Sequence, residues 1–188
     1  MEIIEDQSFN KITAKQLKAY GNTFENCSFQ NCDFSSEDLS NLTFTDCSFK
    51  LCNLSLSKLF KTELQNVKLS DCKLSGADFS KASDFLFEVH FDSCILDNAI
   101  FYQKKNKGAK FTNCSLIETD FTEADLSNVV FDNCNLNRAF FDRTQLKAAD
   151  FTTSYNFIID PDLNVIKKAK FSVHGLAGLL TKYDIVLK

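Results

Sequence analysis

Thr23-Phe24-Glu25-Asn26-Cys27-Ser28-Phe29-Gln30-Asn31-Cys32-Asp33-Phe34 sets the rhythm of the chain: a phenylalanine at every fifth residue, with cysteine two positions before the second and third. Followed outward, the period continues without a break through Leu39, Phe44, Phe49, Leu54, Leu59, Leu64, Leu69, Leu74 and Phe79. After a seven-residue step it resumes at Leu86 and runs through Phe91, Leu96 and Phe101, then from Phe111 to Phe151, with Asn106 the one exception. A strict period of five fits neither the 3.6 of an α-helix nor the 2 of an ordinary strand. Two residues before each of these central positions stands a second set, mostly small, such as Cys72, Ala77, Val89, Thr119 and Ala149. Residues two apart point the same way on an extended strand. Each unit is therefore a short extended segment plus a turn, with one large and one small side chain facing inward.

Units such as Ala77-Asp78-Phe79, Ala124-Asp125-Leu126 and Ala149-Asp150-Phe151 resemble the pentapeptide-repeat family. The resemblance implies an all-β fold, a right-handed quadrilateral parallel β-helix in which four units make one square coil and the sequence repeats every 20 residues. Phe91, Phe111, Phe131, Phe151 and Phe171 obey that longer period and are expected to stack on one face, with Leu96, Leu116 and Leu136 on the next. Coils about 4.8 Å apart give a rod of roughly 35 Å. Residues 1–21 fit the period poorly and are expected to form an irregular coil closing the first end. Residues 22–153 form the β-helix with a small insertion at 80–85, and residues 154–188 a last irregular coil and a helix.

The composition agrees: 20 Phe, no Trp, one Pro and five Gly is the usage of a repeat. The N-terminus lacks a signal-peptide pattern and no apolar run approaches the roughly 18 residues of a membrane span, so a cytoplasmic protein with no membrane partner is expected. All eight cysteines occupy the small inward position, which suits reduced thiols packed as small apolar groups. Neighbours five residues apart fall on adjacent faces with no His among them, so neither a metal nor a cofactor is expected.

Two interruptions stand out. The stretch Ser80–Phe85 reads as a bulge with an outward Phe, making Lys81, Phe85 and Phe87 candidate partner contacts. Lys104 and Asn106 fall at inward positions, where an unpaired Lys is costly. Residues 104–107 are therefore expected to open into a basic surface loop, with Lys104, Lys105 and Lys107 as further candidate contacts.

The C-terminal end changes pattern. Asp160-Pro161 reads as a helix start, and Ser172 as the cap of a helix over residues 173–183. Val173, Leu176, Leu179, Leu180 and Tyr183 share one face of it, and residues 184–188 look strand-like. These five with Ile185 and Leu187 form a candidate dimer interface. Lys168-Ala169-Lys170-Phe171 followed by Gly175–Leu180 resembles the C-terminal module of the Qnr-type quinolone-resistance pentapeptide proteins, which implies a homodimer joined end to end.

Catalysis is not expected. The only histidines, His90 and His174, lie near no nucleophile or carboxylate arrangement, and no phosphate loop appears. Residues 1–166 carry 16 Lys and Arg against 24 Asp and Glu, a net of −8, whereas residues 167–188 carry five Lys and one Asp, a net of +4. Two functions remain open. One is an interaction scaffold of unspecified protein target. The other, implied by the Qnr resemblance, is a DNA mimic on a type II topoisomerase such as DNA gyrase or topoisomerase IV; the body charge is modest beside duplex DNA, with one charge per roughly 1.7 Å. Nucleic acid itself is not an expected partner.

Overall fold

A computed structural model describes residues 3–186. The chain adopts the expected right-handed, four-sided parallel β-helix, a solenoid of about eight turns. The first face begins with Ile3–Glu5, Thr23–Glu25, Thr43–Thr45 and Glu63–Gln65, paired in parallel at a shift of 20 residues, and resumes through Lys105, Asp125, Gln145 and Val165. The second is a continuous parallel ladder from Ser8–Asn10 to Lys170–Phe171. The third and fourth are shorter bridges through Asn53, Lys73, Ile95 and Ser115, and through Asp78, Ile100, Asp120 and Phe140.

The corners explain the period. The residue two after most central Phe and Leu residues takes a left-handed conformation, with φ between 50° and 59° at Asn26, Asn31, Ser36, Asn41 and Asp46; Lys81, in the 3₁₀ turn Phe79–Lys81, does not. Asn, Asp and Ser tolerate this region through local hydrogen bonds, whereas β-branched side chains do not. Thr153 is the one β-branched residue at such a position between Phe24 and Phe151, and it is not left-handed: the turn still closes from the Ser154 N–H to Phe151 O at 3.2 Å and Tyr155 bridges Asn135 in register, and the next left-handed residue is Asn156. Phe157 and Ile159 then turn inward, and regular coiling ends.

Inside, the expected ladder forms. Phe91, Phe111, Phe131, Phe151 and Phe171 stack at centroid distances of 4.9, 5.0, 4.9 and 5.2 Å. A second column, Phe79, Phe101, Phe121 and Phe141, meets it edge to face. The small inward residue does more than fill space. Its hydroxyl or thiol donates to the central carbonyl of the preceding coil: Thr62 to Leu39 at 2.9 Å, Thr119 to Leu96 at 3.0 Å and Cys134 to Phe111 at 3.3 Å. That explains why Cys, Ser and Thr alternate with Ala at these sites.

Ser57 is the exception. Its Oγ is buried with no partner and borders a void of about 20 Å³ where Leu54, Leu59, Leu64 and Leu69 replace phenylalanines. An unsatisfied buried hydroxyl costs about 1–3 kcal/mol. Ser57→Ala is accordingly expected to raise stability by about 1 kcal/mol in urea titration.

The N-terminal coil is more regular than expected. Ile3–Glu5 and Ser8–Asn10 pair in register, and a helix, Ala14–Tyr20, closes the remaining two sides. Thr13 and Gln16 form its capping box, and Ala14 and Leu17 face the core. At the other end Asp160-Pro161 starts a turn rather than a helix, with Asp160 accepting the Asp162 N–H at 2.9 Å. The 173–183 helix exists as three consecutive pieces, Val173–Leu176, Ala177–Leu180 and Thr181–Tyr183, capped by Ser172 as expected. Residues 184–186 form no strand, and Leu187 and Lys188 lie outside the described residues.

Candidate interaction surfaces

The bulge and the basic corner prove to be one structure. Val67 pairs with Val89, a shift of 22 rather than 20. The Ser83 N–H still bonds Thr62 O in normal register, so the two extra residues are taken up between Asp84 and Phe87, later than the 80–85 expected. Leu86 takes the left-handed φ of 50° and projects outward, and Phe87, not Leu86, enters the core. Phe87 is thus a packing residue rather than a contact candidate. Lys81 and Phe85 are exposed as expected.

The bulge leaves backbone groups that the next coil must serve, and Lys104 and Asn106 do so. Contrary to the expected open loop, residues 104–107 keep the regular coil, and Lys104 is only 2% exposed. Its ammonium donates to Ala82 O and Asp84 Oδ1, both at 2.8 Å, and lies 4.9 Å from the Phe87 ring centroid. Asn106 bonds both backbone groups of Val89: Oδ1 accepts its N–H at 3.1 Å, and Nδ2 donates to its carbonyl at 3.0 Å. The Lys110 N–H, which would otherwise take that carbonyl, is bonded by His90 Nδ1 at 3.1 Å. Burying Lys104 is tolerable because it is fully partnered. Lys105 and Lys107 do face solvent, with Lys107 paired to Asp125 at 3.0 Å.

The C-terminal helix has two sides. Gly175 and Gly178 abut Phe157; a methyl at Gly178 would stand 2.2 Å from Phe157 O. The Ile159 N–H donates to Gly178 O at 3.1 Å, Leu179 packs on the core, and Lys182 holds Asp160 and Asp162. This side caps the rod. On the other, Val173 is 81% exposed, and Leu176, Tyr183 and Ile185 are open to solvent, joined by Val186 at 83%. Leu180 is half-buried, and Leu187 lies outside the described residues.

The cysteines form the expected inner columns, all eight reduced and buried. Cys72 donates to Phe49 O at 3.5 Å and is contacted by the Cys52 N–H at 3.4 Å. Burial and neighbouring thiols push Cys47, Cys72, Cys94 and Cys114 up to about 12 and Cys52 to about 11 from an ordinary 9.0. Cys134 at the column's end is lowered by its bond with Cys114. Unfolded thiols ionise near 9 while the raised folded ones stay protonated, so unfolding releases protons between about pH 9 and 12 and stability falls across that window. The melting temperature is expected to drop steeply from about pH 9 upward, and native protein at about pH 8 should not react with a disulfide reagent until denatured. Among the described residues no group of His, Cys, Asp and Glu could hold a metal ion, and no helix is long and apolar enough to cross a membrane.

Surface charge is sorted by face. On three faces opposite charges pair between coils, as in Arg138–Glu118 at 3.0 Å, Arg143–Glu123 at 2.9 Å and Lys170–Asp150 at 3.0 Å. The first face is acidic over its first four coils and lysine-rich over its last four.

No curated protein sequence matches this chain. Among solved structures, a trypsin-treated variant of QnrB1, a plasmid-mediated fluoroquinolone resistance protein, aligns over 100% of both chains at 20% identity with a TM-score of 0.52. Full-length QnrB1 covers 98% of this chain and 100% of its own at 20% identity, TM-score 0.50. HetL, a pentapeptide repeat protein involved in heterocyst differentiation regulation from the cyanobacterium Nostoc sp. strain PCC 7120, aligns over 89% of this chain and 84% of its own at 16% identity, TM-score 0.37. The family model for the pentapeptide repeat region matches residues 22–83 and 85–155, breaking at Asp84 where the bulge begins. With most of its length matched by that model, the chain belongs to the pentapeptide-repeat family.

Proposed function

We propose that this protein is a non-enzymatic interaction rod that works as a homodimer joined through its C-terminal helix. The observation that carries this reading is the two-sided helix. Its glycine side already closes the rod, so capping leaves Val173, Leu176, Tyr183, Ile185 and Val186 unexplained as a cluster of exposed apolar side chains. A two-fold contact would cover it with the same residues of a second copy. The eight reduced thiols suit a reducing, cytoplasmic setting. Light scattering on the eluting protein should give twice the 21.3 kDa chain mass, reduced to a single chain by Val173→Asp with Ile185→Asp. A wild-type protein that stays monomeric at high concentration would rule the reading out.

A second reading, mimicry of DNA on a type II topoisomerase, has in its favour the whole-length fold likeness to a fluoroquinolone resistance protein. Such mimicry calls for unbroken acidic groups along the length of the rod, whereas the first face gives way from carboxylates to lysines at its midpoint and carboxylates on the other faces are interspersed with Lys and Arg, as at Glu118, Glu123 and Asp150. Gyrase supercoiling assays with and without a quinolone separate the two: neither inhibition nor protection eliminates mimicry.

A further inference from the structure

The charge-sorted first face has a symmetry of its own. Four coils precede the bulge on it, centred on Ile4, Phe24, Phe44 and Leu64, and four follow, centred on Asn106, Leu126, Leu146 and Ile166. Outward side chains of the first four include Glu5, Asp6, Glu25, Asp46 and Glu63 and neither Lys nor Arg. Those of the last four include Lys105, Lys107, Lys147, Lys167 and Lys168 against Asp125 alone. Among the described residues, none of the five carboxylates has an ion-pair partner, and of the lysines only Lys107 does, on Asp125. At the midpoint Phe85 and Leu86 project from the bulge, 61% and 63% exposed.

We infer that this face binds a second copy of the chain, side by side and antiparallel, about a two-fold axis through the bulge. In such a contact each surface element meets the image of another. Rotation about the bulge lays the Leu64 coil on the Asn106 coil and the Ile4 coil on the Ile166 coil. Glu63 then meets Lys105, Glu25 meets Lys147, and Glu5 and Asp6 meet Lys167 and Lys168, each pairing occurring twice. The like-charged matches are Asp46 with Asp125, which Lys107 already compensates, and, at the axis, Asp84 and Glu88 with their own images, where Lys104 compensates Asp84 and Glu88 lies beside His90 Nε2. Parallel packing of the same faces would oppose carboxylate to carboxylate over four coils, so charge selects direction as well as partner. Phe85 and Leu86 meet their own images on the axis, putting the apolar contact at the centre and charge around it.

A face about 40 Å long and about 15 Å wide covers roughly 600 Å² per partner, the low end for a specific interface. The contact is therefore weak and salt-sensitive. It does not rest on the end-to-end dimer, because the C-terminal helix lies off this face. Where both contacts form, they link copies into an open chain.

Zero-length carbodiimide cross-linking of the full chain at low ionic strength, read by peptide mass spectrometry, tests it. The expected links are Glu25 to Lys147, and Glu5 or Asp6 to Lys167 or Lys168. Within one chain Glu25 and Lys147 stand six coils, about 29 Å, apart, so a link between them is intermolecular, and end-to-end pairing separates them further. Their yield should fall at least about tenfold when salt is raised to about 0.5 M. Two triple variants complete the test: Glu5→Lys, Asp6→Lys, Glu25→Lys makes both halves basic, and Lys147→Glu, Lys167→Glu, Lys168→Glu makes both acidic. In an equimolar mixture the swapped charges should restore carbodiimide links between the two variants, position 25 of one to position 147 of the other and position 5 or 6 to position 167 or 168, which an end-to-end pair cannot give. Absence of the links in wild type, or of the cross-variant links in the mixture, overturns the proposal, whatever the fate of the end-to-end dimer.

Discussion

Phe111→Ala should be the most damaging single truncation in the rod, costing about 3–5 kcal/mol. The ring is fully buried, stacked 4.9 Å from Phe91 and 5.0 Å from Phe131, and edge-on to Phe101 and Phe121 at 6.0 and 6.1 Å. Removing it opens a cavity that the hydrogen-bonded coils above and below cannot close, because backbone pairing fixes their separation. In a solenoid the loss also falls on both neighbouring interfaces. Phe111→Leu should cost only about 1–1.5 kcal/mol, since Leu fills the same central position in many coils. Phe171→Ala, at the half-covered end of the ladder, should cost less than Phe111→Ala. Urea unfolding followed by circular dichroism orders the three. Equal losses at Phe111 and Phe171 would contradict the nearest-neighbour account.

Asn106→Leu should be the second most damaging, although it installs the residue the family pattern prescribes. In a regular coil a Leu there would improve the core. Here it deprives the Val89 N–H and C=O of their partners, at about 1–3 kcal/mol for each buried group left unpaired. Lys104→Ala should act through the same region, losing about 3 kcal/mol from the cavity, the unpaired Ala82 carbonyl and the contact with Phe87. Because the two side chains serve one bulge, the double variant should cost less than the sum. Strict additivity would show that the bulge is not a shared element.

These two residues are where local sequence stops being informative, because their roles depend on a partner in another coil. The Phe and Leu ladder was legible because each inward position repeats and its neighbours are its own kind. Intrinsic burial cost argues against an inward Lys104, and the partners that offset it, Ala82 O and Asp84 Oδ1, come from a bulge about 20 residues earlier. The seven-residue step from Phe79 to Leu86 shows that two residues are extra but not where they sit: the period puts Leu86 inward, whereas Phe87 enters the core. The N-terminal helix was within reach: Thr13 and Gln16 carry the capping-box spacing. The corner signal was too, since Asn or Asp recurs two residues after the central position, as at Asn26, Asn31, Asn41 and Asp46. The apolar character of the C-terminal end was legible from its spacing. The sorting of charge on the first face was not, because it depends on which coils lie on each side of the bulge.

The bulge has a further consequence, for how the chain finds its pairing. A coil displaced by 20 residues would still set Phe or Leu against Phe or Leu in nearly every column and repeat the same corners. A regular stack therefore offers folding a series of frame-shifted alternatives close in energy to the native one. The bulge at 84–87 is complemented only by the coil that carries Lys104 and Asn106, and the Ala14–Tyr20 helix fits only the first coil. Those irregularities act as index marks, giving each coil a unique neighbour in an otherwise self-similar rod.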